Sequence, residues 1–269
     1  MKFAGRVLIF PVLHCNQSCT YCTNEYGTHS NTLPVKGYSI AAVEKWVEFV
    51  SKLETSAVEF LGGEPALYPD FDKIVNALSP HIPATVGSNC SDRSLKTLLK
   101  IEPRGNVQIQ ASYHQGQTSI EKFARNVRSL LSANLRVGVH TMPHWKADEF
   151  EYLRATTGIE GTSHGLISDH SGWVAFEHTC LKPRSEPKTV ACPVAAWRCI
   201  APDGTVYTCH ALMYAKSSSG VLGNVFDKYL NDVDETTCAF YGWCNPCDIG
   251  RFTHAENTLR HERLRAAHG

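Results

Sequence analysis

His14-Cys15-Asn16-Gln17-Ser18-Cys19-Thr20-Tyr21-Cys22 follows directly on the short apolar run Val7–Phe10. Cys15, Cys19 and Cys22 stand in a C-x3-C-x2-C spacing, with the aromatic Tyr21 before the last of them. Three thiolates in one loop form a concentrated set of soft ligands, suited to zinc, copper(I) or an iron–sulfur cluster. A structural tetrahedral zinc site needs a fourth protein ligand, and none follows at finger-like spacing. A cluster held by three cysteines would leave one iron open to another ligand.

Outward from this loop, apolar strand-like runs alternate with helical patterns. Val7–Pro11 reads as a first strand. Ser39 reads as the N-cap of a helix carrying Val43, Trp46, Val47 and Val50 at helical spacing. Ala57–Leu61 is a second strand, running into Gly62-Gly63-Glu64-Pro65, and Asp70 precedes a helix through Phe71, Ile74, Val75 and Leu78. Ala84–Val86 is a third strand, ending near Ser88-Asn89, before a helix through Leu95, Leu98 and Leu99. Val107–Ala111 is a fourth, with Ser112-Tyr113-His114 at its carboxyl end. Ser119–Leu131 reads as helix, Arg136–Thr141 as a fifth strand, and Leu166–Ile167 as the start of a sixth. Such alternation predicts an α/β fold with a parallel sheet and right-handed crossovers. Ligands of such sheets bind at the carboxyl ends of the strands, where the cysteines, Gly62–Glu64, Ser88-Asn89 and Ser112 all fall.

After about residue 170 the helical periodicity fades, and seven cysteines from Cys180 to Cys247 crowd the chain. Within this part Ile200–Thr208 reads as a β-hairpin turning at Pro202-Asp203-Gly204. The expected organisation is a barrel-like domain over 1–170, a small cysteine-rich domain over 171–252 and a polar tail over 253–269.

Composition bounds the partners. Formal net charge is zero, with 26 basic and 26 acidic residues, which argues against nucleic acid as a partner. The first ten residues are too short an apolar run for a signal segment, and no stretch approaches a membrane span. The expectation is a cytoplasmic chain. In a reducing compartment its 11 cysteines point to metal binding or catalysis rather than to disulfides.

The C-x3-C-x2-C loop, with Tyr21 before its third cysteine, resembles the cluster loop of the radical S-adenosylmethionine (SAM) superfamily. Gly62-Gly63-Glu64-Pro65, about forty residues on, resembles the family's glycine-rich motif for the methionine amino group. The glycines allow close backbone approach and a carboxylate can receive an ammonium group. The resemblance implies a partial (β/α)6 TIM-like barrel and a [4Fe–4S] cluster on Cys15, Cys19 and Cys22. It further implies SAM chelating the open iron, and reductive cleavage to a 5′-deoxyadenosyl radical. Tyr21, Gly62, Gly63, Glu64, Pro65, Ser88, Asn89 and Ser112 are then the expected SAM contacts. The family's commoner third-strand ending is T-N-G, where this chain has Ser88-Asn89-Cys90.

A second resemblance concerns the C-terminal part. Cys192, Gly204 and Cys209 in a C-x11-G-x4-C pattern, then Gly223-Asn224-Val225 and Cys244-x2-Cys247, resemble the shortened Twitch version of the SPASM auxiliary-cluster domain. It implies a second [4Fe–4S] cluster on Cys192, Cys209, Cys244 and Cys247; a zinc ribbon is the alternative, since four thiolates suit both metals. Cys90, Cys180, Cys199 and Cys238 remain, and by default are buried core thiols. Cys238 and Cys180 are the candidate hydrogen-atom donors. His114, His140 and His144 lie near strand ends, as structural groups or substrate contacts.

The combined reading is a radical SAM enzyme that abstracts hydrogen from a C–H bond of a small polyhydroxylated or aminated molecule, of sugar, aminocyclitol or aminoglycoside type. Epimerisation would use a cysteine donor, and dehydrogenation the auxiliary cluster as electron acceptor. The compact chain, with no added leader-binding domain, favours a small molecule over a ribosomal peptide, whose maturation is the second reading. A non-enzymatic zinc protein is the reading from another class. The resemblance implies a flavodoxin- or ferredoxin-type electron donor as partner, and antibiotic biosynthesis as one setting for such chemistry.

Overall fold

The structure is a computed structural model that describes residues 1–19, 38–141, 147–159, 162–164, 188–191, 197–214, 216–227, 229–230 and 237–241. Tyr21, Cys22, His144, Leu166–Ile167, Cys180, Cys192, Cys244, Cys247 and the tail lie outside the described residues.

Six strands lie side by side in chain order: β1 (Arg6–Ile9), β2 (Ala57–Phe60), β3 (Ala84–Ser88), β4 (Val107–Ser112), β5 (Arg136–Thr141) and β6 (Thr162–His164). Every neighbouring pair among them is parallel. The connections carry α1 (Val43–Ser51), α2 (Phe71–Asn76), α3 (Asp92–Leu98), α4 (Ile120–Ser132) and α5 (Ala147–Thr157). This is the expected partial (β/α)6 TIM-like barrel. No helix among the described residues is long and apolar enough to cross a membrane.

On the far side of β1 the sheet does not end. β7 (Lys188–Ala191) pairs elsewhere, antiparallel with β12 (Thr237–Tyr241). Next in the chain, β8 (Arg198–Ile200) docks parallel onto β1, and β9 (Thr205–Tyr207), β10 (Val221–Asn224) and β11 (Tyr229–Leu230) follow antiparallel, giving ten strands among the described residues. The β8–β9 hairpin turns where the sequence placed it. Gly204 takes φ +85° there, and Asp203 Oδ1 accepts from Thr205 N–H at 3.0 Å, as an Asx turn requires. A short helix, α6 (His210–Tyr214), follows β9.

Side-chain alternation sets the two faces. Along β4, Val107, Ile109 and Ala111 are buried, whereas Gln108, Gln110 and Ser112 are half-buried. The first set joins Val7, Ile9, Val58, Phe60, Val86 and Val139 in one core against the helices. Trp46, Phe71, Phe123 and Leu130 close it from α1, α2 and α4. Ser91 caps α3 and Ser119 caps α4, each accepting from the N–H three residues on; of the two, the start at Ser119 was read from the sequence.

The expected cap at Ser39 is corrected, and Asp70, the residue before the next helix, does not cap it with its side chain. Ser39 does not cap α1, which begins only at Val43 after an extended Ala42. Ala41 N–H is instead bonded to Pro202 O of the hairpin at 2.9 Å, which holds this stretch extended. Asp70 precedes α2 but makes no capping bond, its carboxylate pairing with Lys73 at 3.0 Å. The sequence reading also passed over α5. Of its residues with described burial, Leu153 alone is fully buried, so it lacks the apolar stripe that announces a helix.

Candidate active site

The carboxyl ends of β1–β4 meet in a small polar constellation. The β1–β2 ladder runs on past both strands: Leu61 N–H donates to Ile9 O (2.8 Å), Gly63 N–H to Val12 O (3.2 Å) and Glu64 N–H to His14 O (2.8 Å). The glycine loop therefore lies backbone to backbone against the residues leading into the cysteines. A Cβ on Gly62 would stand 2.2 Å from Val12 O, and one on Gly63 2.2 Å from His14 O. Only glycine fits at both positions.

Glu64 does not end in open space. Its side chain is buried, and its carboxylate accepts from Ser88 Oγ (2.7 Å), Asn89 N–H (2.7 Å) and Ala66 N–H (3.4 Å). Burial raises its pKa to about 7, partly opposed by the bonds from Asn89, Ser88 and Ala66. Ser88 faces the helix side and also accepts from Cys90 N–H at 3.0 Å. Ser88 and Glu64 thus tie the end of β3 to the glycine loop, and Pro65 opens a single 3-10 turn, Pro65–Leu67, below it.

Asn89 reaches the cysteine loop. Its Nδ2 donates to Asn16 Oδ1 (2.8 Å) and to Cys15 Sγ (3.7 Å), and Asn16 Nδ2 donates to Ser91 Oγ (2.8 Å). Gln17 N–H also donates to Cys15 Sγ at 3.4 Å. On the other side, Ser18 N–H donates to Gln117 Oε1 (3.0 Å) from the loop after β4. Three strand ends therefore hold the segment Val12–Cys19. Cys15 is half-buried and Cys19 buried. Cys90, next to Asn89, is buried with φ +48°. Burial and the nearby Glu64 carboxylate push its thiol pKa up strongly.

Ser112 closes β4, in register with His140 of β5 and through it with Ser163 of β6. Below that row, Gln108 and Gln110 lie across β5. A Cβ on Gly138 would meet Gln108 Nε2 at 2.5 Å and Gln110 Oε1 at 3.1 Å. The same face carries Thr85 and Gly87 of β3, and Glu59 of β2 paired with Arg6. His114 is half-buried beyond β4. Tyr113 and Gln115 join that loop to α5, donating to Glu149 Oε1 and Oε2 at 3.1 Å each. Of the C-terminal set, Cys209 is half-buried just before α6, and Cys238 lies in β12 opposite Val190. A cleft of about 400 Å³ lined by Met1, Lys45, Glu48, Phe49, Lys52, Val225 and Phe226 shares no residue with this constellation.

Residues 9–155 match the family model described as the Radical SAM superfamily. The chain belongs to the radical SAM superfamily. A probable GTP 3′,8-cyclase of Aeropyrum pernix is 27% identical over 163 residues, covering 55% of this chain and 45% of the relative. This chain thus spans less than half the length of that relative. Two solved structures share the fold. SuiB of Streptococcus suis bound to precursor peptide SuiA gives a TM-score of 0.57 at 13% identity, covering 96% of this chain and 69% of SuiB. SuiB bound to S-adenosylmethionine gives 0.55 at 13% identity, covering 91% and 66%.

The radical SAM family implies a [4Fe–4S] cluster and SAM, and the donor set on the described loop fits such a cluster. Two soft sulfur donors sit four residues apart on a braced loop, and N–H groups of Gln17 and Asn89 point at Cys15 Sγ. Such bonds stabilise negative charge on a ligand sulfur. Asn16, Ser91 and Gln117 were missed as parts of the site. Nothing distinguishes Asn16 within its motif or Gln117 within its loop. The alternation Gln108-x-Gln110 within an apolar strand was a readable sign of a polar inner wall.

Proposed function

We propose that this chain is a radical SAM enzyme acting on a small polyhydroxylated or aminated molecule held inside the barrel. Cys15, Cys19 and Cys22 would hold the [4Fe–4S] cluster, and the Gly62–Pro65 loop with Ser112 would flank SAM. A cluster with SAM on its open iron supplies, when bound, a one-electron cleavage that yields a hydrogen-abstracting 5′-deoxyadenosyl radical.

The observation that carries the substrate class is the polar inner wall. Barrel interiors are ordinarily filled by layers of branched apolar side chains. Here the positions facing away from the helices on β2–β5 include Glu59, Thr85, Gly87, Gln108, Gln110, Ser112, Gly138 and His140. Carboxamides, hydroxyls and an imidazole at half-buried positions match the hydrogen-bonding demands of a polyol or aminopolyol. The outcome at the substrate carbon would be epimerisation, with Cys238 or Cys180 returning hydrogen from its thiol, or net dehydrogenation. A second cluster on Cys192, Cys209, Cys244 and Cys247 belongs to the same proposal, as does a flavodoxin- or ferredoxin-type donor.

The test is anaerobic reconstitution followed by iron and sulfide analysis, then assay of 5′-deoxyadenosine release with sugars and aminocyclitols in deuterated water. About eight irons per chain are expected for two clusters, and about four if the C-terminal set binds none. Deuterium at one inverted carbon would mark epimerisation, and an unlabelled ketone dehydrogenation. A colourless zinc-containing chain without SAM cleavage would overturn the proposal. Modification of a peptide, with no small molecule accepted, would replace the substrate class.

A further inference from the structure

Asn89 is 4% exposed at the end of β3, and both halves of its carboxamide are engaged. Oδ1 accepts from Ser91 N–H at 3.0 Å and from Ser94 Oγ at 3.2 Å. A backbone N–H is an unambiguous donor, so these bonds fix which end of the amide is oxygen. The nitrogen therefore faces the cysteine loop, where it meets Asn16 Oδ1 at 2.8 Å and Cys15 Sγ at 3.7 Å. Asn16 Nδ2 returns to Ser91 Oγ at 2.8 Å, closing a ring between the loop and the cap of α3. The backbone of Asn89 is held as well, its N–H on Glu64 Oε2 at 2.7 Å.

We propose that Asn89 is a positioning residue whose side-chain N–H···S bond to Cys15 raises the reduction potential of the centre bound there. The inference rests on the assignment of Cys15 as a cluster ligand. A donor aimed at a ligand sulfur withdraws negative charge, so it stabilises the reduced, more negative state over the oxidised one. Burial strengthens the effect, because little water competes for the amide. The ring through Asn16 and Ser91 keeps the amide aimed at the sulfur when the charge on the centre changes. Asn89 thereby sets how readily the electron needed for SAM cleavage is accepted, without touching the reacting atoms.

The test is an anaerobic redox titration of the reconstituted full chain, following the electron-paramagnetic-resonance signal that responds to added SAM. Two variants divide the roles of the amide. Asn89→Asp keeps the oxygen used by Ser91 and Ser94 and loses the donor. Asn89→Ser loses the donor without adding charge. Both potentials are expected below that of the unaltered chain, with the Asp variant lowest. An unchanged potential in Asn89→Ser overturns the inference, since the Asp shift would then report charge alone. If neither variant takes up iron, the unaltered chain is grown with asparagine labelled with ¹⁵N at the side-chain amide. Pulsed resonance should then show ¹⁵N coupled to the SAM-responsive centre, retained in Asn16→Ala; no such coupling also overturns the inference. An unaltered chain without any SAM-responsive signal removes the cluster assignment itself, which separates the two failures.

Discussion

On the β1–β8–β9 side, the face of the sheet away from the helices is packed shut. Leu8 of β1 and Phe10 just beyond it are buried against Tyr38, Cys199, Tyr207, Met213 and Tyr214, with Phe10 edge-on to Tyr214 at 6.0 Å between ring centres. On the β3–β5 side the same face carries Thr85, Gln108, Gln110 and Gly138, none fully buried. The two regions belong to one sheet, but the first is covered by Tyr38 and by Met213 and Tyr214 of α6, whereas the second presents polar side chains. The packed half stabilises the fold by burying apolar area. The polar half gives up that contribution and offers hydrogen-bonding groups in return. Substitutions should therefore separate: in the first region they act on stability, in the second on what the cavity holds.

The sharpest break of this contrast is Phe10→Ala. Removing a ring that is 1% exposed leaves a cavity between β1 and α6, at a cost of about 3–5 kcal/mol. Urea unfolding of the apo chain under anaerobic conditions checks it. A loss under about 1 kcal/mol would mean that this half is no better packed than the polar one.

Glu64 stands at the seam between the halves, and its effect is read through pH. Its pKa is raised from 4.5 to about 7 by burial, so the folded chain holds this proton more tightly than the unfolded one. The resulting stability is complete below about 4.5 and is lost as pH rises through about 7, by up to about 3 kcal/mol. Glu64→Gln removes the titration. The stability of the wild-type chain relative to this variant should fall between those pH values, and a difference flat across the window would refute the shift.

Much of the packed architecture was legible, because it rests on local pattern. Val107-x-Ile109-x-Ala111 alternates, Ser119 precedes a helix with apolar residues at helical spacing, and Pro202-Asp203-Gly204 can only turn. What escaped depends on contacts between distant segments. No local signal says that Arg198–Ile200 docks onto β1, nor that Ala41 is held by Pro202 and so delays α1. Within the site, the glycine loop lies against the backbone leading into Cys15. Glu64 also took on work that its motif does not announce, because its carboxylate is turned into the protein, where Ser88 and the Asn89 backbone supply donors. Asn16 and Gln117 were invisible, since a single amide in a polar loop carries meaning only once its partner is known.

Cys90 offers a smaller test of the same seam. Its φ of +48° places a side-chain-bearing residue in the left-handed region, where the family's commoner T-N-G ending has glycine. Cys90→Gly relieves that backbone but loses the buried sulfur, whereas Cys90→Ala loses the sulfur and keeps the strain. The glycine variant should therefore be the more stable of the two by about 1 kcal/mol. Equal unfolding midpoints would mean that Asn89 and Ser91 impose the conformation at no cost.

The smallest stability effect is expected at Gln110→Leu, and it bears most directly on what the polar half is for. Gln110 is half-buried in the middle of β4, and leucine matches its bulk while adding apolar surface. Stability should change by no more than about 0.5 kcal/mol. A substrate hydroxyl or amine bound there would lose its partner, and a site left with an unpaired polar group discriminates strongly. KM for an accepted small substrate should rise at least tenfold, while 5′-deoxyadenosine released without substrate stays unchanged. Gly138→Ala provides the control from the neighbouring strand. Its added Cβ would meet Gln108 Nε2 at 2.5 Å, a flexible side-chain end that can move aside, so the fold survives while the amide wall is rearranged. If both variants bind and turn over substrate as before, the polar half is solvated lining and the site must be sought nearer Ser112 and His140. If Gln110→Leu instead stabilises the chain by more than 1 kcal/mol and spares KM, the two halves differ only in how completely they are packed.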